Sequence, residues 1–337
     1  MANPIEKVVR KIDHFQQSHT PFAFMFAIVK KFGDDQAGAL VSNLAYSGLI
    51  SIFPLLLLLV TILNIVAAKN PHFAQLVLNS ALAQIPIVGS SLGHNIHALH
   101  KGSIIGIVVG VIGLIWGSIG LAQAGVFAME QVWNLPATLR PNYIKRLLRS
   151  VLFLLALLLG VIGTSFLASF ATFASHSLVV ALVGDIFSVL LNIAIYILIF
   201  RILTPKVVAL AQLVPGGVVG GIGWTLMQAL GGYLIAHDLK SSAIYGTFAI
   251  VLGLIAWIYL GSEIAIYSAE INVVLAEHLW PRSIVQPPLT SADKASITFQ
   301  ATQNQRRPEQ HVQVWFDKDE KSEKESSTSE PHASSTQ

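Results

Sequence analysis

The stretch LVSNLAYSGLISIFPLLLLL, residues 40–59, joins a polar half to an apolar half within one uncharged segment. The apolar half is typical of a helix in hydrocarbon. The polar half places Asn43, Ser47, Ser51 and Pro54 at steps of four, four and three residues, which is one face of a helix. Pro54 also lacks a backbone N–H and frees a carbonyl one turn earlier. We interpret the stretch as a kinked transmembrane helix whose polar stripe faces either a cavity or another helix.

The composition of the chain agrees with a membrane protein. Of its 337 residues, 53% are hydrophobic and 12% are charged, against about 25% charged in soluble domains. Several uncharged windows are long enough for a span, which takes about 20 apolar residues. They predict an all-α, polytopic membrane protein with six transmembrane helices, near 38–66, 103–128, 150–174, 183–203, 215–236 and 243–274.

Lysine and arginine fall mainly on one side of these predicted spans. With the N-terminus inside, the inner segments hold 18 of these residues and the outer loops hold 3. Without the C-terminal tail the ratio is still 11 to 3. Because cytoplasmic loops carry an excess of positive residues, both termini are predicted to be cytoplasmic.

The chain is predicted to have three regions. Residues 1–35 form a cytoplasmic segment in which PFAFMFAIV, residues 21–29, is an interfacial helix. Residues 36–280 form the six-helix transmembrane domain. Residues 281–337 are polar and are expected to form a disordered cytoplasmic tail. The outer loop near 69–101 is expected to hold one or two short helices on the membrane surface.

Small residues mark the faces where helices approach each other. Pro215 is placed at the first turn of the fifth span, where proline is tolerated. Overlapping G-x-x-x-G patterns, which let helices pack closely, are formed by Gly216 and Gly220, Gly217 and Gly221, Gly106 and Gly110, and Gly113 and Gly117. These glycines indicate either ordinary helix packing or a mobile interface that opens for a substrate.

Few ionisable residues fall at membrane depth, and such residues are costly enough to be functional candidates. Glu263 and Glu270 are seven residues apart on the sixth span and share a face with Tyr267. Glu270 lies near the inner end, where it either pairs with a cytoplasmic arginine or reaches the headgroups. Glu263 is deeper, and Arg201 is its expected partner. An inward-facing polar role, including proton coupling, is the alternative for Glu263.

The sequence offers little for an enzyme or a metal site. His94, His97 and His100 lie outside the second span, but no carboxylate accompanies them, so no metal is predicted. The chain has no cysteine, and it contains no P-loop, H-E-x-x-H or G-x-S-x-G motif. We therefore expect no cofactor, no catalytic residue and no nucleic-acid partner.

Four segments in order resemble the YihY/BrkB family of bacterial inner-membrane proteins. They are DDQAGALVSNLAYSGLISIFPLLLLL, WGSIGLAQAGVFAMEQVWNLP, FRILTPKVVALAQLVPGG and AWIYLGSEIAIYSAEINVVLA. The resemblance covers about residues 20 to 280 and implies a multi-pass protein of the inner membrane. The family positions that it implies in this chain are Asn43, Tyr46, Ser47, Pro54, Arg201, Pro215, Gly216, Glu270 and Asn272. Two departures are Ser268, which is expected to loosen close packing, and Glu263, where the family has an apolar residue.

The resemblance implies three hypotheses about function. The first is the handling or transport of an amphipathic envelope component, such as a lipid or a lipopolysaccharide precursor, with membrane lipids as partners. The second is a structural scaffold without transport, and the third is ribonuclease BN-type tRNA processing, which lacks residues to perform it. Under the first hypothesis the substrate path is lined by Asn43, Tyr46, Ser47, Ser51, Arg201, Glu263, Glu270 and Asn272.

Overall fold

A computed structural model describes residues 4–51, 119–173, 178–237 and 246–316 of the chain. Every regular element in these ranges is helical, apart from turns. The elements are α1 (Pro4–Ser18), α2 (Thr20–Asp34), α3 (37–51), α4 (119–132), a 3-10 turn (Ala137–Leu139), α5 (Tyr143–Phe173), α6 (Leu178–Leu203), α7 (Leu210–His237), α8 (Gly246–Ala276) and α9 (Ser291–Gln303).

The prediction of an all-α polytopic membrane protein is confirmed by these elements. Within the described ranges, four helices are long and apolar enough to cross a membrane, over Tyr143–Thr164, Leu182–Leu203, Leu210–Gly231 and Val251–Ala276. They correspond to the last four predicted spans. The first two predicted spans are described only in part, as α3 and α4. Pro54, the outer loop near 69–101, its three histidines and the glycine pairs before α4 lie outside the described residues.

The four long helices pack in chain order. α6 packs against both α5 and α7, and α7 packs against α8. At the other side of α8 lies α2, which in turn contacts α1. Many leucines on the outer faces of α5 to α7 are exposed, including Leu155, Leu159, Leu182, Leu190, Leu226 and Leu230. Apolar exposure of this extent suits contact with hydrocarbon rather than water.

The glycines of α7 lie at two helix crossings. A Cβ atom on Gly221 would lie 2.5 Å from the backbone nitrogen of Ile193 on α6, and a Cβ on Gly216 would overlap the carbonyl oxygen of Ser268 on α8. The two G-x-x-x-G pairs of this helix therefore serve packing on α6 and on α8. Opening of this interface for a substrate stays a prediction.

Ser268 does not loosen this crossing, contrary to the expectation from its departure from glycine. The side chain is buried, and its hydroxyl donates a hydrogen bond to the carbonyl of Ile264 at 2.6 Å. Because the hydroxyl folds back on its own helix, the Ser268 backbone remains in close contact with Gly216.

Pro215 is not at the first turn of its helix, so that prediction was wrong. α7 begins five residues earlier, at Leu210, where the Ala209 N–H donates to the Gln212 side chain at 2.9 Å and caps the helix. Pro215 therefore lies inside the helix. The neighbouring N–H of Gly216 donates to Asn272 Oδ1 on α8 at 2.6 Å, so a side chain of another helix provides an acceptor beside the proline.

The prediction of disorder from residue 281 onward was wrong for the described part of the tail. Thr290 and Asp293 form a capping box at the start of α9, and Ala292, Asp293 and Ser296 are buried. Few apolar residues are needed here because ion pairs and hydrogen bonds attach the segment to α1 and α2. Residues 317–337 lie outside the described residues.

Candidate functional site

A buried ionic cluster lies at the end of the bundle where α2 meets α8. The Lys31 ammonium forms ion pairs with Asp35 and with Glu270, whose Oε2 lies 3.3 Å from Lys31 Nζ. Lys31 Nζ also donates to the carbonyl of Val132 at 2.9 Å. The three charged side chains are between 0% and 2% exposed. They are therefore sequestered from water, and each depends on the others for compensation.

The local fold brings Lys31 and Asp35 together. Lys31 is in the last turn of α2, where the helix dipole favours a cation, and Asp35 caps that helix four residues later. Gln36 takes a left-handed conformation, with φ of 52°, and turns the chain into α3. The turn fixes Asp35 beside the lysine, and Glu270 approaches from α8.

Neutral side chains surround Asp35. Its Oδ1 accepts hydrogen bonds from Asn134 Nδ2 at 3.1 Å and from Gln300 Nε2 at 3.3 Å. Asn134 follows α4 with a φ of 45°, a conformation that asparagine tolerates better than most residues. The cluster thus joins α2, the end of α4, α8 and α9.

The cluster carries an excess of one negative charge, because two carboxylates face one lysine. Neither carboxylate oxygen of Glu270 has a hydrogen-bond partner among the described residues, although the ion pair with Lys31 remains. The ion pair between Lys31 and Glu270 therefore holds α2 against α8.

A second polar cluster attaches the C-terminal segment to α2. Arg282 pairs with Asp293 and with Asp34, each at 2.6 Å, and Lys30 pairs with Asp293 at 3.0 Å. Burial alone raises the pKa of Asp293, but hydrogen bonds from Ser283, Arg282 and Lys30 outweigh it and hold that pKa well below its usual range. Asp293 is therefore an ionised anchor.

The predicted path residues of α3 do not share one environment. Asn43 and Tyr46 are exposed, Ser47 is half-buried and Ser51 is fully buried. The Ser51 hydroxyl donates to the carbonyl of Ser47 at 2.7 Å. The stripe is thus exposed near the start of α3 and packs against protein one to two turns further on.

The predicted residues of α6 and α8 are also separated. Glu263 is half-buried and forms no ion pair with Arg201, which instead donates to the carbonyl of Val208 at 3.0 Å. The expected pair was therefore wrong, because Arg201 is at the end of α6 and is held by the loop that follows. Glu270 pairs with Lys31 rather than with an arginine. Asn272 faces α7 through Gly216.

The register of α3 and α8 nevertheless relates Asn43 to Glu263. In the last turn of α2, which leads into α3, the Phe32 ring stacks on Tyr267 of α8 with centroids 4.2 Å apart. Further along α3, a Cβ on Gly48 would lie 3.0 Å from Ile258 of α8, so the two helices run antiparallel. Asn43 and Glu263 are each five residues from that contact, toward the start of α3 and the end of α8 (48 − 43 and 263 − 258). Equal rise per residue predicts a similar depth for the two residues.

Sequence reasoning missed Lys31, Asp35 and Asn134. Lys31 follows the predicted interfacial helix and Asp35 precedes an uncharged stretch, and neither position was predicted to belong to a site. Asn134 belongs to the segment WGSIGLAQAGVFAMEQVWNLP, whose resemblance to the family was a usable signal. The ion pair between Lys31 and Glu270 could not be predicted from the sequence, because it depends on how α2 and α8 pack.

Comparison with known proteins agrees with this architecture. The sequence model of the family described as virulence factor BrkB matches residues 28–288. A UPF0761 membrane protein of Psychrobacter sp. (strain PRwf-1) is 25% identical over 80% of this chain and 51% of its own length. The ribonuclease-like protein YfkH of Bacillus subtilis (strain 168) is 26% identical over 69% of this chain and 88% of its own.

A UPF0761 membrane protein of Alcanivorax borkumensis is 25% identical over 76% of this chain and 62% of its own length. The chain thus spans about half to two thirds of the length of the two UPF0761 relatives. No solved structure matches the chain.

Proposed function

The chain belongs to the virulence factor BrkB family of membrane proteins, and we propose that it handles or transports an amphipathic envelope component, such as a lipid or a lipopolysaccharide precursor. The proposal includes a location in the bacterial inner membrane with both termini cytoplasmic. It also holds that the protein is not an enzyme and binds no nucleic acid. The headgroup of the substrate passes between α3 and α8, while its acyl chains stay in the bilayer.

The observation that supports this path is the position of Asn43 and Glu263 relative to the contact between α3 and α8. Each residue is five positions from the contact of Gly48 with Ile258, and neither is fully buried. Glu263 has no ion-pair partner among the described residues. An ionisable group at membrane depth is costly and marks a substrate or ion path more often than a lipid contact. A polar headgroup that can hydrogen-bond to both side chains would offset that cost.

The test asks whether an Asn43→Leu, Glu263→Leu double variant complements the phenotype of a strain in which the gene is deleted. We expect the double variant to insert in the membrane at the wild-type level and to fail to complement. The matched control is Glu277→Leu, which removes an exposed carboxylate just beyond the inner end of α8. Full complementation by the double variant would refute the proposed path.

A scaffold without transport is the second candidate, and a specific observation favours it. The glycine crossings of α7 and the buried ion pairs of Lys31 are features of a tightly held bundle. A scaffold predicts that substitutions at Asn43 and Glu263 change the thermal stability of the purified protein without changing complementation. The two candidates therefore give opposite results in the same pair of measurements.

A further inference from the structure

A cluster of arginines lies at the start of α5, apart from the Lys31 cluster. Its centre is Glu130, which is fully buried at the end of α4. Arg146 Nη2 lies 3.2 Å from Glu130 Oε2, and Arg140 Nε lies 3.9 Å from the same oxygen. Arg149 is close enough to interact electrostatically with both Glu130 and Arg201. Three guanidinium groups therefore act on one carboxylate, and a fourth, that of Arg201, lies close to Arg149.

The charges of this cluster do not balance. Arg140, Arg146, Arg149 and Arg201 carry four positive charges, and Glu130 carries one negative charge, which leaves an excess of three. Within the described residues these arginines form no ion pair with any other acid. Arg149 and Arg201 even repel each other. Such an excess, partly removed from water, favours an anion with more than one charge-bearing oxygen.

Two guanidinium nitrogens of the cluster are buried without an acceptor. Arg146 Nε and Arg149 Nη1 have no hydrogen-bond partner among the described residues, and Glu130 Oε1 likewise has none. A buried N–H that bonds to nothing is costly. An anion seated between Arg146 and Arg149 would accept from both nitrogens.

The position of the cluster at the start of α5 also favours an anion. The first turn of this helix contains no acidic residue but includes Lys145 and Arg146. The N-terminal end of a helix carries a partial positive charge that favours anions and disfavours cations. Basic side chains at this end therefore add to the helix dipole instead of compensating it, and both favour the same anion.

Apolar side chains lie directly beside the basic cluster. Tyr143, Ile144 and Leu148 are exposed on α5, at the point where a candidate membrane span begins. Tyrosine prefers the boundary between headgroups and hydrocarbon. An anion that reaches the arginines thus lies at headgroup level with hydrocarbon next to it. Basic pockets between helices on the cytoplasmic side suit lipid phosphates.

We propose that Arg140, Arg146, Arg149 and Arg201 form a binding site for a phosphate group at the inner end of α5 and α6. The phosphate is that of an anionic lipid headgroup or of a soluble phosphate, and both share the same chemistry. The inference deepens the proposed function, on which its biological meaning rests, by giving the amphipathic substrate an anionic anchor. Binding itself can be measured without transport.

The test measures binding to the purified full-length chain in nanodiscs and in detergent. The chain is placed in nanodiscs of phosphatidylglycerol or of phosphatidylcholine, and the lipid that stays bound to it in detergent is compared between the two. Inorganic phosphate is titrated separately. We expect the Arg146→Gln, Arg149→Gln double variant to bind the phosphate-bearing probe at least about tenfold more weakly, since each charge-assisted hydrogen bond is worth about that factor. The matched control is Arg306→Gln, Arg307→Gln, which changes the net charge equally at exposed positions.

Glu130→Gln keeps the proposal falsifiable if the double arginine variant fails to fold. Removing this negative charge should strengthen phosphate binding, whereas a purely structural ion cluster would lose stability and gain no binding. Selective retention of phosphatidylglycerol supports a lipid source, and competition by inorganic phosphate without lipid preference supports a soluble source.

Equal binding by the wild type and the arginine variant would overturn the site, as would weaker binding in Glu130→Gln. Failure of the Asn43 and Glu263 test would leave this result intact, because the two experiments share no residue.

Discussion

At the scale of single residues, Lys31 is the side chain on which the buried cluster depends. Replacing it with methionine in Lys31→Met leaves Asp35 and Glu270 buried without a cation. Breaking a buried pair in this way costs about 3–5 kcal/mol. We expect the free energy of unfolding to fall by that amount, measured by tryptophan fluorescence during thermal unfolding in detergent.

The double variant Lys31→Met, Glu270→Gln provides the control for that prediction. It removes one of the two orphaned charges and should recover part of the lost stability. If Lys31→Met unfolded at the wild-type temperature, the cluster would not hold α2 onto α8.

A second residue-scale prediction concerns the pH dependence of the C-terminal anchor. The pKa of Asp293 lies below its usual range in the folded protein because its hydrogen bonds and cations outweigh burial. A carboxyl group with a depressed folded pKa contributes stability above its unfolded pKa of about 3.9, and loses it as the pH falls. We expect the stability difference between wild type and Asp293→Asn to shrink from pH 5 to pH 2 in thermal unfolding. A difference that stayed constant would contradict the assignment.

At the scale of helices, the crossing of α7 and α8 has little tolerance for added atoms. In Gly216→Ala the new Cβ would meet the backbone oxygen of Ser268, which a rotamer change cannot relieve. Overpacking of this kind costs about 1–3 kcal/mol. We expect a lower unfolding temperature for Gly216→Ala and, as the control, no loss for Gly120→Ala, where no atom of the described residues lies within 4 Å. Equal effects of the two substitutions would show that the crossing is not tight.

Element boundaries also show which parts of the fold were predictable. The spans α5 to α8 follow from their long apolar windows, because hydrocarbon requires about 20 such residues. The start of α7 was missed because the Gln212 cap is a weaker signal than Pro215. α9 was missed because its order depends on Arg282 and Lys30 contacting Asp293 across the fold.

The candidate site was also predictable only in part, because its contacts join distant parts of the chain. Composition and spacing identified Glu263 and Glu270 as costly charges in a membrane helix. They did not identify Lys31 as the partner of Glu270, nor exclude Arg201 as the partner of Glu263. Partner choice depends on the packing of distant helices, which no local pattern encodes.

At the scale of the whole molecule, the predicted position of α2 on the inner leaflet can be tested cleanly, since the chain has no cysteine. Met25 is 63% exposed on the outer side of α2, whereas Ala27 faces the bundle. We expect a fluorophore on Met25→Cys to be quenched by brominated lipids in proteoliposomes. A fluorophore on Arg307→Cys, in the polar C-terminal segment, should stay unquenched. Equal quenching at both positions would contradict an interfacial α2.

The central claim, that the protein handles an amphipathic envelope component along α3 and α8, is tested most directly by a lipid inventory. The two leaflets of the inner membrane are compared in a deletion strain carrying the wild-type chain, the Asn43→Leu, Glu263→Leu variant or no copy. We predict that the variant and the deletion share the same change in the leaflet distribution of one component, and that the wild type restores it. Identical inventories in all three strains would contradict the account.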